Sequence, residues 1–213
     1  MDQPAEAEER RVKPRKGRRR LKPAVRRSEL LDAALRVLRS KGPAKVRVED
    51  VTRAAGAAKG TFYLYFSSWE DLLVAVREHL LSTYGSEVGA RLAATAPSEW
   101  WKTIESECVC FVDFVLELGD LHRAIFHGPV ADRPIDAEHS AEVLIARLLT
   151  AGVAAGACRP VDIDGAAPLL FSVLHTTADE IARSGGRERR IESMLDLLRA
   201  WLRTTARERE RRW

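Results

Sequence analysis

The chain has 213 residues, 46% of them hydrophobic, and a formal net charge of +4 at pH 7. This length allows one or two globular domains with a sizeable core, and no apolar run reaches the ~18 residues of a membrane span. The basic N-terminus lacks the hydrophobic segment of a signal peptide, so we expect a cytoplasmic protein without membrane contact.

Positive charge is concentrated at the N-terminal end of the chain. Residues 1–27 carry 11 Lys or Arg and 4 Asp or Glu, whereas residues 81–213 carry 16 and 20. Almost nothing in the first segment can be buried, and its prolines and glycine interrupt a helix, so we predict a disordered basic arm at 1–27. Such an arm could follow DNA phosphates; the alternative is a solubilising tail.

The segment after the arm has the spacing of three short helices. Apolar residues at helical intervals predict a first helix over residues 28–40, with Ser28 as its N-cap and Lys41-Gly42-Pro43 as its end. Residues 47–66 then predict two helices that meet at Gly56, because glycine readily takes the left-handed conformation of a sharp turn.

The second of these two helices has two chemically different faces. On a helical wheel, Phe62, Tyr65 and Phe66 share one face, which predicts an aromatic wedge in a core. The opposite face consists of Lys59, Gly60, Tyr63 and Leu64, with Thr61 beside them. Such a surface suits a helix in the DNA major groove, where the glycine permits close approach and the lysine and tyrosine reach phosphates. The alternative is a tight helical hairpin in an ordinary bundle.

The string Gly60-Thr61-Phe62-Tyr63-Leu64-Tyr65-Phe66, followed by Ser67-Ser68-Trp69-Glu70-Asp71, closely resembles the recognition helix and next helix start of tetracycline-repressor-type (TetR family) regulators. The resemblance is specific over about residues 28–80. It implies an all-α dimeric repressor that leaves operator DNA when a small molecule binds. Its three-helix helix-turn-helix domain would span 28–85, and its helical ligand-binding and dimerisation domain 86–213. The residues expected to contact DNA are Arg47, Ala58, Lys59, Gly60, Thr61, Tyr63, Leu64 and Trp69.

Several positions depart from the usual family pattern. Ala57 and Ala58 stand where a Ser or Thr commonly opens the recognition helix, and Arg47 replaces a capping Thr with a longer cation. Leu64 stands where a His is common, so it can touch only a thymine methyl or a sugar. Trp69 takes the place of a frequent phosphate-binding Lys, and we therefore expect a weaker phosphate clamp at that helix start.

The fourth helix is predicted to connect the two domains. Ser67-x-x-Glu70 matches a capping box, which predicts a long helix over residues 68–92. Its start would pack on Phe62 and Phe66, and its other end would border the ligand pocket, so a bound ligand would tilt it. Further helices are predicted at about 98–118, within 119–129 and at 136–154.

The last two helices are predicted to dimerise. Apolar stripes over residues 164–184 and 187–205, joined by Gly185-Gly186, predict an antiparallel hairpin that pairs with its copy in a homodimer. The stripes consist of Leu170, Leu174, Thr177 and Ile181, and of Ile191, Leu195, Leu198 and Leu202. The alternative is that these stripes pack only within one chain.

Aromatic residues in the C-terminal half predict a pocket for an apolar or aromatic small molecule. Its expected lining is Trp101, Cys108, Phe111, Phe114, Phe126, His127, Phe171 and His175. The chain has no HExxH, CxxC or GxSxG spacing and no phosphate-cradling glycine loop, so we expect no enzyme, metal site or cofactor. Two rival functions stay open: a helical-bundle enzyme or redox sensor using Cys108 or Cys110, and a DNA-compacting protein without ligand control.

Overall fold

The computed structural model describes residues 22–134 and 140–203, and over these ranges the secondary structure is helical, as predicted. The α-helices are α1 (Pro23–Lys41), α2 (Val48–Ala54), α3 (Lys59–Tyr63), α4 (Trp69–Ala93), α5 (Trp100–Leu118), α6 (Asp120–Phe126), α7 (Ala141–Ala154), α8 (Ile163–Ser184) and α9 (Arg187–Leu202). No helix among the described residues combines the length and hydrophobicity needed to cross a membrane.

The first helix begins earlier than predicted. α1 starts at Pro23, and proline suits a first helical position because the amide it lacks would have no partner there. The predicted N-cap at Ser28 is therefore wrong. The Arg27 guanidinium lies 5.4 Å from the centre of the Phe66 ring, so the last residues of the predicted arm belong to the folded domain. Residues 1–21 of that arm lie outside the described residues.

The cap of α4 is shifted by one residue from the predicted capping box. The Ser68 hydroxyl accepts a hydrogen bond from the Asp71 backbone N–H at 3.0 Å, and this replaces the expected Ser67–Glu70 pair. In α7, the Ser140 hydroxyl likewise accepts from the Val143 N–H at 3.2 Å. The earlier start predicted for α7, at residue 136, lies outside the described residues.

Two hydrophobic cores share α4. The first joins α1, α2, α3 and the start of α4, and it also takes in Leu121 and Ile125 of α6. The second lies between the far end of α4 and α5, α7, α8 and α9. α6 therefore packs with the predicted DNA-binding helices, although the sequence places it beyond the predicted boundary at residue 85.

Residues of the apolar stripes that were predicted to form the dimer interface pack inside the single chain. Leu170 and Leu174 of α8 and Leu198 of α9 are buried together in the second core, so for these residues the intrachain alternative is right. A different surface of the same two helices stays apolar and exposed. On it, the Leu169 side chain is 59% exposed and the Leu197 side chain is 50% exposed.

A buried arginine fastens the loop after α6 to α4. Arg77 is only 1% exposed, and its guanidinium donates hydrogen bonds to the carbonyl oxygens of Val130 at 2.7 Å and Arg133 at 2.6 Å. A third, longer bond reaches the Ala131 carbonyl at 3.3 Å. The Arg133 guanidinium in turn donates to Asp71 Oδ1 at 2.5 Å. Segment 130–133 is thus held along the first three turns of α4.

Replacing Arg77 by methionine should destabilise the fold by about 2–4 kcal/mol, because the buried Val130 carbonyl and the part-buried carbonyls of Ala131 and Arg133 lose their charged donor. Urea unfolding followed by circular dichroism measures this loss. The matched control is Arg147→Met on the exposed face of α7, which should change the free energy of unfolding by less than about 0.5 kcal/mol. Equal stabilities of the two variants would contradict the role given to Arg77.

Candidate nucleic-acid interface and cavity

The turn between α2 and α3 has the predicted geometry. Gly56 has a φ of +58°, in the left-handed region that favours glycine. The Ala57 N–H donates to the Thr52 carbonyl at 2.8 Å and closes the turn. Val51 before the turn and Phe62 after it are both fully buried, so the two short helices are held by one core.

α3 ends at Tyr63, before the predicted end at residue 66, but the exposed and buried positions of α3 and the turn after it divide as the helical wheel predicts. Phe62 is 0% and Phe66 3% exposed, whereas Tyr63 is 53% and Leu64 78% exposed. Gly60 lies on the exposed face, and a Cβ built there would meet no described atom within 4 Å. The packing of the described residues therefore does not require a glycine at this position, and the surface above it is open to a close partner.

The lysine at the start of α3 has a partner that sequence reasoning missed. Lys59 Nζ lies 2.6 Å from Glu49 Oε1 of α2, and both side chains are about half exposed. The hydrogen bond holds the pKa of Lys59 above and that of Glu49 below their usual ranges. A phosphate that approaches Lys59 must therefore compete with a carboxylate, which the α2–α3 turn brings close.

The other predicted DNA contacts surround the same surface. Arg47 precedes α2 and is exposed, and its backbone N–H donates to Asp50 Oδ2 at 3.1 Å, so an acidic residue within α2 supports the helix start. Ala58 is the exposed N-cap residue of α3, and Thr61 is half-buried. Trp69 is half-buried at the first position of α4.

A cavity of about 300 Å³ lies between α4, α5, α6, α8 and the start of α7. Five of the predicted ligand-binding residues line it, namely Phe111, Phe114, Phe126, Phe171 and His175. The lining also includes Leu81, His122, Arg133 and Glu142. Cys108 lines a smaller space that shares Phe111 with the main cavity.

Besides Cys108, two more of the predicted ligand-binding residues, Trp101 and His127, do not line this cavity. Trp101 is near the start of α5, where its indole N–H donates to Glu105 Oε1 at 2.9 Å and the Arg203 guanidinium lies over its ring. The expectation that a ligand lies beside Trp101 is therefore not met by this cavity. His127 lies just outside the lining, with its ring centre 5.0 Å from that of His175.

Three histidines that the sequence left separate meet beside the cavity. His122 Nε2 and His175 Nε2 are 2.9 Å apart, and each of His122, His127 and His175 offers a nitrogen within 4.8 Å of the others. Burial lowers the pKa of His122 to about 4 and also lowers that of His175, so both rings are neutral at pH 7. Neutral imidazole is the form that binds metals.

Two of the three cysteines, Cys108 and Cys158, do not favour a redox sensor, whereas Cys110 is half-buried. Cys108 is 1% exposed, and burial raises the pKa of its thiol to about 12. Cys158 is also buried, and burial raises its pKa to about 11. Thiol redox chemistry requires an accessible thiolate, and these two groups are protonated and shielded at neutral pH.

Comparisons with known proteins agree with this geometry in the N-terminal part. Residues 30–76 match the family model described as bacterial regulatory proteins, tetR family. Over 77 residues the chain is 36% identical to the HTH-type transcriptional regulator YvdT of Bacillus subtilis (strain 168). The aligned segment covers 36% of this chain and 39% of YvdT. The match therefore spans about two fifths of the length of that curated relative.

Solved structures share the fold over most of the chain. A TetR-family transcriptional regulator from Pectobacterium atrosepticum aligns with a TM-score of 0.68 and 22% identity, over 84% of this chain and 95% of that one. RolR in complex with its ligand resorcinol aligns with a TM-score of 0.62 and 20% identity, over 87% and 91% of the two chains.

Proposed function

We propose that this chain, which belongs to the tetR family of bacterial regulatory proteins, is a transcriptional regulator that binds operator DNA as a homodimer and responds to a small molecule. The observation that carries the proposal is the division of α3 and the turn after it, with Phe62 and Phe66 fixed in a core and Tyr63 and Leu64 exposed. A recognition helix needs both: rigid support behind it and free side chains toward the groove.

In this proposal each exposed group of α3 has its own task. Lys59 and Tyr63 bind phosphates and set the position of the helix, which supplies affinity for any duplex. Thr61 and Leu64 lie close to base edges, where a hydroxyl and an apolar side chain influence which bases are tolerated. Gly60 lets the backbone approach the DNA.

The cavity is the proposed effector site. Its volume of about 300 Å³ and its phenylalanine lining suit a small apolar or aromatic molecule, a class to which the resorcinol held by the structural neighbour RolR belongs. His122 and Phe126 of α6 line the cavity, while Leu121 and Ile125 of the same helix are buried in the core that holds Phe62. A ligand that displaces α6 therefore displaces the support of α3.

A second connection runs through charged groups. Arg133 lines the cavity, and its guanidinium is paired with Asp71 in the first turn of α4. Close-packed interiors pass such displacements on, because they contain little empty space to absorb them. The distance between the two recognition helices of a dimer must match the fixed distance between successive major grooves. A change of a few ångströms in that distance would therefore weaken operator binding.

Selection from a random duplex library tests the proposed function. We expect enrichment of inverted repeats whose half-site centres are about 10 base pairs or more apart. Thr61→Val and Leu64→Ala should change the preferred bases, whereas Tyr63→Phe should weaken all sequences alike. Equal binding to every duplex would support the DNA-compacting alternative and contradict this proposal.

Glu49→Gln should strengthen binding to all duplexes by about three- to tenfold at low salt, because it releases Lys59 and removes a charge that repels phosphate. Fluorescence anisotropy over a salt series measures both affinity and slope. Glu99→Gln breaks the exposed Glu99–Lys102 pair of the C-terminal half, at 3.5 Å, and should leave DNA binding unchanged. An equal gain in DNA affinity from Glu49→Gln and Glu99→Gln would mean that the gain comes from net charge alone, and it would contradict the role given to the Lys59–Glu49 pair.

Deleting residues 1–21, which stops short of α1, removes eight cations. The slope of log affinity against log salt concentration should flatten, by up to about 7 if every cation neutralises a phosphate. The preferred operator sequence should stay the same, since phosphate contacts carry no base information. An unchanged slope would identify the segment as a tail without a part in DNA binding.

The proposed dimer uses the exposed apolar surface of α8 and α9. Leu197→Glu should convert the dimer into monomers at micromolar concentration, because it places a charge in an apolar contact. Analytical ultracentrifugation measures the change. Leu64→Glu alters another exposed leucine, outside this surface, and should leave the dimer intact while abolishing operator binding. A monomeric parent protein, or a dimeric Leu197→Glu variant, would contradict the proposal.

A further inference from the structure

The three clustered histidines come from separate positions on two sides of the cavity. His122 is in α6, His127 follows the end of α6, and His175 is in α8. The distance between His122 Nε2 and His175 Nε2 is 2.9 Å, and all three rings offer a nitrogen within 4.8 Å of one another. Tetrahedral zinc with bonds of 2.0–2.1 Å places its ligand nitrogens about 3.3–3.4 Å apart.

The rearrangement needed to form a metal site is therefore small. The His122–His175 pair is already near the required spacing, and the third nitrogen has to move by no more than about 1.5 Å. His127 can make this movement because its side chain is 43% exposed. The other two rings are held by packing, since His122 is 5% exposed and the His175 side chain is 15% exposed.

The carboxylate of Asp179 lies next to two of the three histidines. Asp179 Oδ2 lies 3.5 Å from His175 Nδ1, on the opposite side of the ring from Nε2, and 3.9 Å from His127 Nε2. Metal-binding histidines commonly donate their second ring N–H to a carboxylate, which fixes the tautomer and strengthens the ligand. Asp179 is one helical turn after His175, so α8 supplies both groups on one face.

We propose that His122, His127 and His175 bind a divalent transition-metal ion of the Zn²⁺ class, with Asp179 orienting His175. Three imidazoles are a ligand set that zinc accepts, and they leave one coordination position for water or another donor. The ion would join α6 to α8 across the edge of the cavity. This proposal concerns metal binding by the chain and does not depend on the proposed regulatory function.

Calorimetric titration of Zn²⁺ into the untagged, metal-free full chain tests the site. We expect one ion per chain and a rise in unfolding temperature with Zn²⁺, because the ion binds only the folded arrangement. His127→Ala should abolish both effects. The matched control is His79→Ala, which removes another partly exposed histidine near a carboxylate, Asp32 at 3.9 Å, and should preserve both effects.

The conservative variant Asp179→Asn distinguishes a role of Asp179 in orienting His175 from a role in the packing of the fold. It should weaken Zn²⁺ about 10- to 100-fold while the unfolding temperature without metal stays the same. Substitution of Co²⁺ adds a spectroscopic check, since its visible absorption reports tetrahedral nitrogen coordination. Equal Zn²⁺ affinity in the parent, His127→Ala and His79→Ala proteins would overturn the proposal, as would Zn²⁺ affinity that Asp179→Asn leaves unchanged.

Discussion

The packing of α6 against the N-terminal core is the constraint on which the rest of the molecule depends. This helix has only seven residues, yet it contributes to two environments at once. Leu121 and Ile125 are almost fully buried in the core that supports α3, and His122 and Phe126 face the cavity. A change on the cavity face of α6 is passed on, because Leu121 and Ile125 of the same helix are packed in the core.

Buried and half-buried charges reinforce this constraint. Arg77 binds three backbone carbonyls of segment 130–133 and so closes the loop that follows α6 onto α4. Arg133 extends the connection to Asp71, next to the start of α4. Breaking a buried charged contact costs far more than breaking an exposed pair, so these bonds keep α4, α6 and the loop together as a unit. The exposed Lys59–Glu49 pair, by contrast, contributes little to the stability of the fold.

The features that sequence predicted well are local and periodic. The left-handed Gly56 and the two faces of α3 follow from conformational preference and from helical spacing, and both are confirmed. The start of α1 was missed because a basic surface gives no periodic signal, whereas Pro23 could have indicated it. Sequence could not predict features that depend on which helices pack together. These are the Arg77 contacts, the Lys59–Glu49 pair and the histidine cluster. Separations of 53 residues, such as that between His122 and His175, leave no trace in a single sequence.

Backbone hydrogen exchange over residues 59–66 in two cavity variants tests the coupling through α6 most directly. Phe126→Ala removes a ring of α6, and Phe171→Ala removes a ring of α8 that lines the same cavity but packs on the second core. Coupling through α6 predicts several-fold faster exchange of this segment in Phe126→Ala and unchanged exchange in Phe171→Ala. Unchanged exchange in both variants, or the same increase in both, would contradict the claim that α6 couples the cavity to the recognition helix.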